Sequence, residues 1–72
     1  MNTRKQFGQN VKALRKAKGL SQEAFGFEAE IHRTYISDIE RGERNPSLEV
    51  IKKIAKHLGV TMGELVDYHL RK

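Results

Sequence analysis

The sequence predicts an all-α protein, a compact bundle of five short helices. Apolar residues recur at helical spacing along most of the 72 residues. Capping sequences and single glycines separate the helical segments. There is one proline, no repeat and no low-complexity segment, so residues 1–72 are interpreted as a single domain. Because cysteine is absent, apolar packing must hold the domain together, alone or with a partner chain.

The first two helices are predicted from their caps and apolar spacing. Thr3 and Gln6 match a capping box, and Gly19 is expected to end the first helix in the left-handed region. Ser21 can cap the second helix, which contains a glycine, Gly26, where close backbone approach is expected. The residues expected to face inward are Phe7, Val11, Leu14, Phe25 and Ala29.

The third helix carries two different faces within the sequence HRTYISDIERGERNPS, residues 32–47. On a helix of 3.6 residues per turn, Tyr35, Ile36 and Ile39 fall on one side. The roughly opposite side collects Arg33, Thr34, Ser37 and Arg41. Because this polar face lacks a lysine or glutamate repeat, it indicates a contact surface more than a merely solvated one. Gly42 is expected to end the helix.

The remaining two helices follow an extended corner at Asn45-Pro46. Ser47 caps the fourth helix and Gly59 closes it, with an apolar line of Leu48, Ile51, Ile54, Ala55 and Leu58. Thr61 and Glu64 form a second capping box, which opens a fifth helix over about residues 62–70. That segment has more apolar surface than its length can bury, in Met62, Leu65, Val66, Tyr68 and Leu70.

Charge indicates nucleic acid as the partner. The net charge is +5 and the pI about 9.8, and residues 1–18 contain basic side chains but no acid. No apolar run is long enough to span a bilayer and no signal peptide is visible, so we expect a soluble cytoplasmic protein without a membrane partner.

An enzymatic function is not expected. Ser37, His32 and Asp38 lie too close along one helix to form a catalytic triad, and no glycine-rich phosphate loop is present. The histidines at 32, 57 and 69 lack metal-ligand spacing. We expect no metal, no cofactor and no small-molecule ligand.

The short connection between the second and third helices is typical of a helix-turn-helix, over about residues 21–41. The stretch LSQEAFGFEAEIHRTYISDIERGERNPSLEVIKKIAKHLGV resembles the Xre and lambda-repressor-like family of regulators, over about residues 7–66. The short chain and its RTYIS sequence most resemble the controller proteins of restriction-modification systems, with phage-type and antitoxin-type regulators as rivals. The resemblance implies an arginine–glutamate ion pair between Arg15 and Glu40.

Three residues depart from the family pattern. Glu30 stands where the turn usually has glycine, so either it adopts a positive φ or the turn differs. Ala24 and Phe27 occupy positions that are usually polar. Phe27 is either additional core or an exposed patch, and we expect burial against a neighbouring helix or chain.

The third helix is expected to read DNA. Arg33 is the best candidate for base recognition, because a guanidinium can donate two hydrogen bonds to guanine. Thr34, Ser37 and His32 could also contact bases or phosphates, while an ordinary solvated surface is the alternative for each. Asp38 either discriminates among bases or balances Arg33. The candidate phosphate contacts, several of them implied by the resemblance, are Gln22, Tyr35, Arg41, Arg44, Asn45 and Lys16.

The leading hypothesis is a sequence-specific transcriptional regulator, a homodimer on a pseudo-palindromic operator in double-stranded DNA. Autoregulation and control of a restriction-modification operon would fit the resemblance. The interface is assigned to the fifth helix, through Leu65, Val66, Tyr68 and Leu70, with Leu65 also closing the monomer core. The alternative is an antitoxin or phage-type repressor whose helical domain also binds a partner protein.

Overall fold

The five predicted helices are present in the structure, a computed structural model that describes residues 3–67. They are α1 (Thr3–Ala17), α2 (Gln22–Ala29), α3 (Arg33–Glu40), α4 (Leu48–Leu58) and α5 (Met62–Asp67). Within residues 3–67 there is no strand, and no helix is long and apolar enough to cross a membrane. The fold is therefore the expected all-α bundle.

Most of the predicted caps are confirmed. The Ser21 hydroxyl accepts a hydrogen bond from the Ala24 N–H at 3.0 Å, and Ser47 does the same for Val50 at 3.2 Å. In the second capping box, the Thr61 hydroxyl accepts from the Glu64 N–H while the Glu64 carboxylate accepts from the Thr61 N–H, both at 2.9 Å.

The capping box predicted at the start of α1 is wrong. Thr3 is already helical, and the Gln6 side-chain amide donates to the side-chain oxygen Oδ1 of Asn10 at 2.9 Å, one turn further along the helix. Gln6 therefore stabilises a buried polar side chain within α1. The sequence pattern alone does not distinguish these two uses of a glutamine.

The turn between α2 and α3 resolves the question raised by Glu30. This residue adopts φ 59° and ψ 43°, so a non-glycine side chain occupies the left-handed region. The turn also explains Gly26, because a Cβ there would lie 2.4 Å from the Ile31 carbonyl oxygen. The predicted close backbone approach at Gly26 is confirmed.

A second close approach joins α1 to the end of α3. A Cβ on Gly8 would lie 2.2 Å from the Ile39 carbonyl oxygen and 2.9 Å from that of Glu40. The backbones of the two helices are therefore nearly in contact. This packing, which we did not predict, sets α3 directly on α1.

One continuous apolar core joins the helices. Its buried members are Phe7, Val11, Phe25, Ala29, Ile31, Ile36, Ile39, Ile54, Ala55, Leu58 and Leu65. Leu14, Tyr35 and Ile51 are partly buried and pack against this core, whereas Leu48 is not part of it. Leu48 is 74% exposed because it lies in the first turn of α4, outside the packed stretch of that helix. Its assignment to the apolar line was wrong.

Phe27 is 87% exposed, so its expected burial against a neighbouring helix is wrong. Phe25 and Ala29 are one turn apart and occupy the inward face of α2. Two residues of helix correspond to about 200°, which turns Phe27 away from that face. Its burial against another chain stays a prediction.

The fifth helix is fixed to α1 through a buried amide. Asn10 is fully buried, and its side-chain nitrogen donates to the Leu65 carbonyl at 2.9 Å and the Val66 carbonyl at 3.3 Å. Leu65 itself has no exposed surface, which confirms its role in the core and removes it from the predicted dimer interface. Val66 is 45% exposed, whereas Tyr68 and Leu70 lie outside the described residues.

Candidate nucleic-acid interface

The N-terminal end of α3 presents exposed polar side chains. Arg33 and Thr34 are exposed, and neither side chain has a hydrogen-bond or ion-pair partner within the described range 3–67. His32 caps the helix, because its ring Nδ1 accepts a hydrogen bond from the Thr34 N–H at 3.1 Å. That bond leaves Nε2 as the ring atom available to a ligand. A large cation and two smaller polar groups thus share one surface.

Beneath this surface, a buried ion pair holds the far end of α3 on α1. The Arg15 Nε donates to one carboxylate oxygen of Glu40 at 2.7 Å, and Nη2 donates to the other at 3.0 Å. A third bond, from Nη1, reaches the Leu20 carbonyl at 2.7 Å. Both charged residues are buried, and the predicted ion pair is confirmed. Its two-point geometry fixes orientation as well as distance.

Gln22 adds a third helix to the same junction. Its side-chain amide donates to Glu40 at 2.9 Å, so the first residue of α2 is tied to the last residue of α3. Gln22 therefore supports α3 through Glu40. Contact between Gln22 and a phosphate stays a prediction. The junction gives the exposed face of α3 a fixed base on α1 and α2.

A second set of polar side chains, four of them charged, lies at the C-terminal end of α3. We call it the C-terminal network, and it comprises Ser37, Asp38, Arg41, Glu43 and Arg44. One oxygen of Asp38 accepts from Arg41 at 2.6 Å, and the other accepts from Arg44 at 3.1 Å. Arg41 also donates to the Ser37 hydroxyl, and to Glu43 at 3.2 Å. Asp38 therefore balances Arg41 and Arg44 and not Arg33, so this one of its two suggested roles is wrong, while base discrimination stays a prediction.

Tyr35 lies beside this network. The guanidinium carbon of Arg44 is 4.5 Å from the centre of the Tyr35 ring, a distance that favours cation–π attraction. The half-buried ring also packs against the core, as predicted. The Tyr35 ring therefore contacts Arg44 on one side and the apolar core on the other.

Two further residues predicted to contact phosphate, Lys16 and Asn45, do not belong to the C-terminal network. Lys16 is exposed in the last turn of α1, and Asn45 is exposed in the connection between α3 and α4. No side-chain hydrogen bond or ion pair joins either of them to the C-terminal network within residues 3–67. Hydrogen bonds, ion pairs and the ring contact thus connect Tyr35, Ser37, Arg41 and Arg44, whereas Lys16 and Asn45 take no part in these contacts.

Besides Gly8, our sequence reasoning missed the structural role of Asn10. A signal was present, because Asn10 is three residues after Phe7 and adjacent to Val11, on the face assigned to the core. A buried amide requires partners, and the backbone carbonyl oxygens of a neighbouring helix are suitable ones. Within the described residues, no group of histidine, aspartate and glutamate side chains could hold a metal ion.

Comparisons with known proteins agree with this geometry. The family model described as helix-turn-helix matches residues 11–65. The chain is 54% identical over 68 residues to the control protein C.BamHI of Bacillus amyloliquefaciens, covering 93% of this chain and 84% of that protein. It is 50% identical over 60 residues to the control protein C.MunI of a Mycoplasma species, covering 82% and 81%.

A solved structure gives the same result. The crystal structure of the restriction-modification controller protein C.AhdI from Aeromonas hydrophila superposes with a TM-score of 0.83 and 45% identity, covering 86% of this chain and 94% of that one. Such proteins bind DNA and are not enzymes. The chain therefore belongs to the helix-turn-helix family of DNA-binding transcriptional regulators, and among them it is similar to restriction-modification controller proteins.

Proposed function

We propose that the protein is a sequence-specific regulator that binds a pseudo-palindromic operator as a homodimer and controls its own gene, within a restriction-modification operon. The observation that carries this proposal is an exposed arginine, without a side-chain partner among residues 3–67, on a helix whose far end is fixed by a buried ion pair. A recognition helix needs both properties: side chains free to meet bases, and a rigid support.

Arg33 is the proposed base reader, with Thr34, Ser37 and His32 as secondary contacts. A free guanidinium near the start of α3 suits two hydrogen bonds to guanine in the major groove. Ser37 is constrained by its bond to Arg41, so a base could use only its remaining hydrogen-bonding capacity. The proposed phosphate contacts are Gln22, Tyr35, Arg41, Arg44, Asn45 and Lys16.

The proposed dimer interface centres on α5. Val66 is 45% exposed and borders an apolar cavity of about 360 Å³ that Phe7, Pro46 and Ile51 also line. A second copy placed there would cover this surface and supply a second α3. Two-fold pairing is the usual solution for a recognition helix that alone reads few base pairs, with half-sites about 34–36 Å apart. The proposal includes Tyr68 and Leu70, which lie beyond the described residues.

The test of base reading compares two arginine variants on operators selected from random duplex DNA. Arg33→Ala should weaken the selected site by about 1–3 kcal/mol and relax preference at one base pair. Arg44→Gln should weaken all duplexes alike and reduce the salt slope by about 1. Equal losses on selected and random DNA for Arg33→Ala would contradict its assignment.

The test of the dimer uses Val66→Glu and not a charged substitution of Leu65. Leu65 is fully buried, so a charge at that position would be expected to unfold the chain. Sedimentation should show monomers and weak operator binding for Val66→Glu. Leu48→Glu is the matched control, since Leu48 is an exposed apolar residue of α4. An unmodified protein that is monomeric at tens of micromolar, yet binds one half-site tightly, would contradict the homodimer.

Phe27 supports a second candidate function, a module that binds another protein. Two exposed acids of α2 are near it in the sequence, Glu23 one turn before and Glu28 directly after. An exposed aromatic ring with acidic neighbours is better suited to contact with a protein than with phosphate. Salt separates the two functions, because affinity through phosphates falls steeply with salt and affinity through an apolar interface does not. Phe27→Ser should leave operator affinity unchanged if the ring serves a protein partner.

A further inference from the structure

One carboxylate, that of Asp38, contacts both arginines of the C-terminal network. Asp38 uses one oxygen for Arg41 and the other for Arg44, at 2.6 Å and 3.1 Å. The Asp38 side chain is 21% exposed, whereas those of Arg41 and Arg44 are 54% and 47% exposed. The carboxylate is thus more sheltered than either guanidinium, and both cations remain within reach of a ligand.

The charges of this network cancel. Arg41 and Arg44 are positive, and their partners Asp38 and Glu43 are negative. The two arginines placed for phosphate contact therefore offer no net positive charge, although the whole chain carries +5. Arg33, at the other end of the same helix, has no such partner within residues 3–67. The carboxylates therefore lower the electrostatic attraction to DNA at the two arginines expected to contact phosphate. They leave Arg33, the proposed base-reading residue, unaffected.

A carboxylate and a phosphate compete for the same donors. A guanidinium presents its five N–H groups in a fixed planar fork, and both anions accept two of them side by side. Arg41 already donates to Ser37, Asp38 and Glu43. A phosphate that reaches Arg41 or Arg44 must therefore displace Asp38 or share a guanidinium with it.

We propose that Asp38 is an intramolecular competitor of DNA phosphate, which lowers the affinity of the protein for duplexes of every sequence. This inference rests on the proposed function, because it requires Arg41 and Arg44 to contact the DNA backbone. Asp38 thereby sets the protein concentration at which an operator becomes occupied. It neither reads a base nor supports the fold.

A structural role for Asp38 is not needed to explain the network. The end of α3 is already fixed by the buried pair of Arg15 and Glu40 and by Gln22. Exposed ion pairs contribute little to stability, since water and salt replace them readily. Asp38→Asn keeps the size of the side chain and removes only its charge. The variant should fold like the unmodified protein.

The experiment measures the dissociation constants of the unmodified protein and of Asp38→Asn. The two probes are a duplex selected from random sequences and a random duplex of equal length, each titrated over a range of salt concentrations. We expect Asp38→Asn to bind both about threefold to tenfold more tightly at low salt, since two exposed ion pairs no longer compete. The salt slope should steepen by about 1 for the additional unopposed cation.

Two controls separate competition from a general charge effect. Glu28→Gln makes the same charge change at an exposed position of α2 outside the network, and its effect should stay below about twofold. In a chain that already carries Arg41→Gln and Arg44→Gln, Asp38→Asn should change affinity by less than about twofold, because the two guanidinium cations are absent.

Each contrary result is distinct. Weaker or unchanged binding by Asp38→Asn would overturn the competitor role, as would a change confined to one base pair, which would identify Asp38 as a base reader. A full gain in the chain lacking both arginines would overturn it as well. If the unmodified protein binds no duplex, the proposed function fails; if it binds but Asp38→Asn gives no gain, only the competitor role fails.

Discussion

The helix α3 carries two arginine–carboxylate assemblies of similar chemistry in different surroundings. The carboxylate of Glu40 meets Arg15 in a pair whose side chains are 7% and 3% exposed. The carboxylate of Asp38, two residues earlier, meets two arginines whose side chains are about half exposed. Two residues correspond to about 200° of helix, so one carboxylate points toward α1 and the other toward the surface.

Burial decides what each assembly can do. Arg15 gives three hydrogen bonds to fixed acceptors, and water does not replace them. That pair resists exchange, because removing either partner leaves a buried charge without compensation. Arg41 and Arg44 can exchange a carboxylate for water or phosphate at little cost. The same residue types therefore support the fold in one place and remain available to a ligand in the other.

The largest expected effect comes from breaking the buried assembly. Glu40→Ala should lower the free energy of unfolding by about 3–5 kcal/mol, because Arg15 is left buried and unpaired. Urea denaturation followed by circular dichroism measures the loss. Glu43→Ala is the control at the exposed assembly and should stay within about 0.5 kcal/mol. Similar losses in both variants would contradict the comparison.

A smaller effect should follow from forcing apart the helices on which the buried pair depends. Gly8→Ala places a methyl group 2.2 Å from the Ile39 carbonyl oxygen, so α1 and α3 must separate. Overpacking of this kind costs about 1–3 kcal/mol. Gly63→Ala in α5 is the matched control, because a Cβ there would lie 3.9 Å from the Thr61 hydroxyl oxygen, an ordinary contact, and alanine favours helix. The melting temperature should fall for the first variant and not for the second.

The smallest effect on stability is expected at the exposed assembly. Arg41→Gln removes ion pairs to Asp38 and Glu43 and should change the free energy of unfolding by less than about 1 kcal/mol. Its effect should appear in DNA binding instead. We expect weaker affinity for all duplexes and a salt slope lower by about 1. A loss of several kcal/mol in urea denaturation would show that this assembly also supports the fold.

Local signals predicted much of the fold. The caps at Ser21, Ser47 and Thr61 depend on residues three positions apart, and the chain itself brings those groups together. Helical spacing likewise placed Ile36 and Ile39 in the core. The cap predicted at Thr3 was wrong because Thr3 is already part of α1, and the Gln6 amide instead donates to the Asn10 side chain one turn later.

Contacts across the fold were harder to predict. The ion pair of Arg15 and Glu40 came from family resemblance, since no local rule relates residues 25 positions apart. The partners of Asp38 depend on where the connection after α3 places Arg44. The positive φ of Glu30 depends on how α2 meets α3. The spacing of Phe25 and Ala29 already places Phe27 on the outward face of α2, so its expected burial gave too much weight to its apolar side chain.

Gly8 and Asn10 have a consequence for operator architecture. They lie on either side of the apolar stripe of α1, Gly8 against the end of α3 and Asn10 against the end of α5. In a dimer joined through α5, α1 would therefore fix the distance between the two copies of α3. One additional base pair between half-sites shifts one of them by about 3.4 Å and turns it by about 35°. Such a protein would require a fixed spacing between the two half-sites. Inserting one base pair between them would abolish binding, although every base that the protein contacts would still be present.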